Sequence, residues 1–127
     1  MTRVILDASA VLALLLGEPG ADAVLSHGPG ALLSAVNYAE VVARTASLCG
    51  SLDEAKRRID RQELEIVPLD RDQAVIAASL AAAGRPLGLA LADRCCLALA
   101  MTRGLPVLTA DRVWRRLDVG ISIEIIR

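Results

Sequence analysis

Short runs of apolar residues alternate along this chain with longer stretches in which apolar positions recur every three or four residues. The short runs are Val4-Ile5-Leu6, Leu32 to Val36, Glu65 to Leu69, Pro106 to Thr109 and Ile121 to Ile126. Their length and apolar content predict five strands. The longer stretches predict helices over Ser9 to Leu16, Ala21 to Ser26, Asn37 to Cys49, Asp70 to Ala83, Leu89 to Arg103 and Asp111 to Leu117, with a further charged helix opening at Ser51. Gly17-Glu18-Pro19-Gly20, Gly28-Pro29-Gly30, Gly50, Gly84 with Pro86, and Gly104 punctuate the pattern as stops. Val41, Val42, Thr45, Leu48 and Cys49 fall on one face of the third helix and predict its buried side. Pro68 cannot donate a ladder hydrogen bond, which places the third strand at a sheet edge.

Short buried strands alternating with helices define an α/β domain, a parallel sheet covered on both faces. The 127 residues are enough for one domain, and neither a linker nor an internal repeat divides residues 1–127. Apolar residues make up 54% of the chain, above the usual range of roughly 45–50%. Tyr38 and Trp114 are the only aromatics, so the excess is aliphatic and predicts tight helix-on-sheet packing or a further surface buried in an oligomer.

Several function classes lose weight on composition. Cys49, Cys95 and Cys96 are odd in number and two are adjacent, which makes a poor disulfide framework and suits reduced core residues of a cytoplasmic protein. A lone His27 supports neither a zinc site nor a serine-type triad. The apolar stretch after Arg3 imitates a short signal peptide, but Asp7 interrupts it and no apolar run approaches the ~20 residues of a membrane span. The net charge of −1 supplies no global basic field for nucleic acid. Locally, Arg112, Arg115 and Arg116 form a cluster directly after Asp111, either a solvated face or a grip for phosphate.

The candidate chemistry is acidic. Asp7, Glu40, Asp93 and Asp111 each follow a predicted strand or lie near a helix start. Each has a local alternative. Asp7 and Asp111 suit helix N-caps. Asn37-x-x-Glu40 reads as a capping box, and Asp93 can pair with Arg94 or a distant arginine. Asp93 nonetheless sits in a helix that is apolar nearly all round, where an ionised carboxylate is costly unless paired or metal-bound. Four such acids at strand ends and helix starts, brought together by folding, would repel one another without a cation, and oxygen donors suit a hard one. Ser9 and Thr109 add hydroxyls beside two of them.

Taken in order, Val4-Ile5-Leu6-Asp7-Ala8-Ser9-Ala10, Ser34-Ala35-Val36-Asn37-Tyr38-Ala39-Glu40-Val41, Leu91-Ala92-Asp93-Arg94-Cys95-Cys96-Leu97-Ala98-Leu99-Ala100 and Val107-Leu108-Thr109-Ala110-Asp111 resemble a PIN domain, in particular a VapC-type toxin ribonuclease. The resemblance spans nearly the full chain. It implies a three-layer α/β/α sandwich with a five-stranded parallel sheet in the order 3-2-1-4-5. It also implies that Asp7, Glu40, Asp93 and Asp111 bind one or two Mg²⁺ ions, with Mn²⁺ able to substitute, and that Ser9 and Thr109 support them. The implied reaction is hydrolysis of an RNA phosphodiester, with Asp7 and Asp93 as the inner ligands. The implied partners are RNA, a VapB-type antitoxin and a second copy of the chain, with no membrane.

Two other classes compete. An aspartate-based phosphohydrolase or phosphotransfer protein needs a lysine near its phosphate, whereas the single Lys56 lies in the charged outer helix. A non-catalytic RNA- or protein-binding module on the same fold would be expected to lose acids, and none is lost here.

Overall fold

A computed structural model describes residues 3–127. The chain runs β1 (Ile5–Leu6), α1 (Ala8–Leu16), α2 (Ala21–Leu25), β2 (Leu32–Ser34), α3 (Ala35–Cys49), α4 (Leu52–Asp60), β3 (Glu65–Val67), α5 (Arg71–Ser79), α6 (Ala81–Gly84), α7 (Leu91–Arg103), β4 (Val107–Thr109) and β5 (Ile123–Ile125). Two 3₁₀ turns, Arg85–Leu87 and Arg112–Arg116, follow α6 and β4. The five strands form one sheet in the order β3-β2-β1-β4-β5, and every pairing is parallel. Strand order therefore reverses beside β1, which has β2 on one side and β4 on the other.

The register explains why the strands read as unbroken apolar runs. Ile5 lies opposite Leu32 and Val107, and Leu6 opposite Leu108. Side chains alternate between faces along a strand. Leu6, Leu33 and Leu108 accordingly pack with Val11 of α1, Val24 of α2, Val41 of α3 and Ile59 of α4. On the other face Ile5, Leu32 and Val107 pack with Leu97 and Leu99 of α7 and with Trp114. Both faces are covered, giving the α/β/α sandwich. The helix starts are capped by side chains: Asp7 for α1, Ser34 for α3, Ser51 for α4 and Asp70 for α5.

Several boundaries differ from the sequence expectation. Only the first three residues of the Leu32–Val36 run are extended, because the Ser34 hydroxyl accepts from the Val36 N–H and starts α3 early. Asn37 is thus inside the helix and does not cap it, so the capping-box reading of Glu40 fails. Leu48 is 53% exposed, whereas Val41 and Thr45 are buried; the last turn of α3 has run past the core. The helix expected to Ala83 breaks at Leu80, whose N–H is shared between the Ile76 and Ala77 carbonyls. The expected helix after Asp111 is a 3₁₀ turn, closed by the Trp114 N–H on the Asp111 carbonyl and the Leu117 N–H on the Trp114 carbonyl. β3 does lie at an edge, with Pro68 just beyond its last residue.

All three cysteines are free thiols; Cys95 and Cys96 are buried and Cys49 partly so. Among the described residues, no helix is long and apolar enough to cross a membrane.

Candidate metal centre

The residues after β1 and β4 meet because the two strands are neighbours in register. Leu6 lies opposite Leu108, so Asp7 and Thr109 emerge side by side at the carboxyl end of the sheet. The Thr109 hydroxyl donates to Asp7 Oδ2 at 2.5 Å. Asp7 Oδ1 accepts from the Ser9 hydroxyl at 2.7 Å and from the Ala10 N–H at 2.9 Å. The Ser9 oxygen in turn accepts the Ala110 N–H at 2.9 Å, and Thr109 Oγ1 accepts the Asp111 N–H at 3.1 Å. The two hydroxyls therefore tie α1 to the segment after β4 and fix the Asp7 carboxylate between them.

Asp7 is only 5% exposed. Burial raises its pKa from the ordinary 3.8 to about 6, outweighing the three hydrogen bonds that favour the anion; the charge of Asp93 adds to the rise. Its N-cap role is real, but one carboxylate oxygen suffices for the cap, and the other points to Thr109.

Asp93 lies at the third position of α7, and its Oδ2 accepts the Ala90 N–H at 2.9 Å. Ala90 has no side chain able to complete a reciprocal box. Burial raises the Asp93 pKa against that hydrogen bond, and the negative charges of Glu40 and Asp111 raise it further. Arg94 does not pair with it: the guanidinium donates instead to the Ala77 carbonyl at 2.9 Å. Glu40 is exposed in the second turn of α3, with Oε1 accepting from Asn37 Nδ2 at 3.0 Å. Asp111 is exposed and caps the 3₁₀ turn, accepting the Val113 N–H at 3.1 Å.

The four acids thus share one end of the sheet, where Asp7 feels the charge of Asp93, and Asp93 the charges of Glu40 and Asp111. Among the described residues none of the four enters an ion pair. Nor is any group of three His, Cys, Asp or Glu side chains there closed into a cluster able to hold a metal as it stands. Each carboxylate rests on its own backbone or side-chain donor. The donor set is all oxygen and anionic, which fits Mg²⁺ or Mn²⁺ and suits no softer ion.

Arg112, Arg115 and Arg116 are exposed beside Asp111. The Arg112 Nε donates to the Arg127 carbonyl at 3.0 Å. Asn37 is the site residue that sequence reasoning misassigned. Its spacing from Glu40 was visible, but the same spacing describes both a cap and a side-chain pair within a helix.

A parallel sheet in this order, with acids at the end where strand order reverses, is the architecture of a PIN-type α/β domain, and the sequence establishes the family: the PIN domain family matches residues 4–120. The chain belongs to the PIN domain family. A VapC ribonuclease of Mycobacterium bovis is 32% identical, over 82% of this chain and 87% of that protein. Ribonuclease VapC42 of Mycobacterium tuberculosis matches to the same extent. Among solved structures, the DNA-bound VapBC complex of Salmonella typhimurium contains a chain that superposes with a TM-score of 0.77, at 18% identity and full coverage of both chains. A toxin–antitoxin complex from Klebsiella pneumoniae gives 0.76 at 19% identity, covering 98% of each chain.

Proposed function

We propose that this chain is a divalent-metal-dependent endoribonuclease of the VapC toxin type. The observation that carries the reading is Asp7: a buried carboxylate held by three donors, close enough to Asp93 to feel its charge, and in no ion pair among the described residues. One oxygen serves the helix cap, but a buried anion remains costly unless a cation joins it. The curated relatives, which are named ribonucleases, and the fold they share with this chain support the same conclusion.

In this reading Asp7 and Asp93 hold the ion directly. Glu40 and Asp111 hold it through water or take the proton of the attacking water. Ser9 and Thr109 keep Asp7 aimed. When bound, one or two Mg²⁺ ions supply the charge that polarises the phosphate and activates water for in-line attack. Arg112, Arg115 and Arg116 offset the acidity of the face by gripping neighbouring phosphates. The partners are RNA, a VapB-type antitoxin and a second copy of the chain, and the setting is the cytoplasm. The antitoxin assignment is supported by structural neighbours that are themselves toxin–antitoxin complexes.

The test is incubation of antitoxin-free protein with total RNA in Mg²⁺ or in excess EDTA, beside the Asp93→Asn variant. Discrete cuts that vanish with EDTA and with the variant are expected. A folded protein that neither cuts RNA nor binds Mn²⁺ would instead be a non-catalytic binding module.

A further inference from the structure

Asn37 lies in the first turn of α3 and is 1% exposed. Its Nδ2 donates twice, to Glu40 Oε1 at 3.0 Å and to the Ala92 carbonyl at 3.1 Å. The first bond reaches one turn along its own helix. The second crosses to α7, to the residue that precedes Asp93. Asn37 Oδ1 is buried and has no donor.

These contacts fix the orientation of the amide. An ionised carboxylate and a carbonyl can only accept, so turning the amide over would face an acceptor to both of them. The chain therefore leaves one buried acceptor unsatisfied and keeps both donor contacts. Glu40 is exposed, and without a partner its long side chain would sample many rotamers. The neutral amide restricts it without cancelling its charge, which a guanidinium in the same place would do. A serine is too short to span both acceptors. The Ala92 bond makes this restraint relative to the turn that carries Asp93.

We infer that Asn37 is a positioning residue: it sets the Glu40 carboxylate against Asp93 and so tunes the affinity of the acidic face for a divalent cation. The inference rests on the metal-nuclease reading above. Asn37 is also followed at four-residue spacing by buried Val41 and Thr45, so a purely packing role is the rival account.

The experiment is Mn²⁺ binding to the full chain, with free Mn²⁺ read by electron paramagnetic resonance and folding checked by thermal unfolding. The variants are Asn37→Leu, which keeps the volume and removes the donor, Glu40→Gln, the double variant and Asp93→Asn. Asn37→Leu should weaken Mn²⁺ binding about 10-fold, as loss of an outer partner of a metal ligand does. Because Asn37 acts through Glu40, the double variant should bind no worse than Glu40→Gln alone. Unchanged binding in Asn37→Leu, or losses that multiply in the double variant, would overturn the inference. If Asn37→Leu does not fold, Asn37→Ser carries the same cycle. If Glu40→Gln and Asp93→Asn both bind Mn²⁺ like the wild type, the metal reading itself falls and takes the positioning role with it.

Discussion

Replacing Asp7 by asparagine should stabilise the metal-free protein even as it removes the chemistry. In the folded state the Asp7 pKa rises from 3.8 to about 6, with burial as the main cause. A group that binds its proton more tightly when folded favours the native state below its unfolded pKa, and that contribution disappears as pH rises through the folded pKa. The window is therefore about pH 4 to 6, and above it the buried anion costs stability. The difference between 3.8 and about 6 corresponds to about 3 kcal/mol at 1.36 kcal/mol per unit. Asparagine keeps an oxygen for the Ala10 N–H but turns an amide towards Thr109, so part of that gain is lost. A net gain of about 1–3 kcal/mol at pH 8 remains, or a rise of about 3–10 °C in Tm for a domain of this size. Thermal unfolding in EDTA at pH 8 and pH 4 measures it. The variant should melt higher at pH 8 and lose the advantage at pH 4, where the wild-type carboxyl is itself neutral. Added Mn²⁺ should raise the wild-type Tm and leave the variant unmoved. A variant less stable at both pH values, or one whose advantage ignores pH, would refute the assignment of Asp7 as a buried, uncompensated anion.

Other outcomes follow from the same geometry. Arg112→Ala should weaken RNA binding while sparing Mn²⁺ affinity, and should lower the slope of log affinity against log salt by about 0.7, as loss of one phosphate contact to a single strand does; RNA titrations in an uncutting Asp93→Asn background and Mn²⁺ titrations of the single Arg112→Ala variant read the two. Equal loss of RNA and Mn²⁺ binding would remove Arg112 from the phosphate grip. Gly20→Ala should destabilise by about 2 kcal/mol or more, since the backbone φ is +101° and the new Cβ would lie 2.7 Å from Ile126 Cγ1; urea unfolding checks it. Trp114 is 1% exposed with its indole N–H unpaired, so Trp114→Phe should cost under about 1.5 kcal/mol and Trp114→Ala about 3–5 kcal/mol in the same assay.

The strands and most helices were legible in the sequence because the sheet is buried on both faces and its runs are therefore unbroken. Where elements end was less legible. Leu32 to Val36 is apolar on both sides of Ser34, so hydrophobicity alone does not mark Ser34 as the point where extended chain turns to helix. That decision belongs to one hydroxyl accepting one N–H. The candidate acids stood out because a carboxylate at a strand end or in an apolar helix is costly. Their partners did not stand out. Arg94 neighbours Asp93 in sequence but points to the Ala77 carbonyl, and Asn37 looked like a cap until the cap proved to be Ser34, three residues earlier. Spacing reveals who can share a face; which partner wins is decided by elements far away in the chain.

The order of the strands has a consequence for synthesis. β1 lies at the centre of the sheet, yet β4, its neighbour on one side, arrives about a hundred residues later. A nascent chain that has left the ribosome as far as Arg103 already carries Asp7, Glu40 and Asp93 but has no β4, no Thr109 to hold Asp7, and no Asp111. Domains fold as units during translation. The acidic face therefore cannot be complete on a growing chain that ends before β4, since Asp111 and the Thr109 hydroxyl that holds Asp7 are not yet present. Whatever chemistry needs all four acids must wait until β4 and Asp111 have been made.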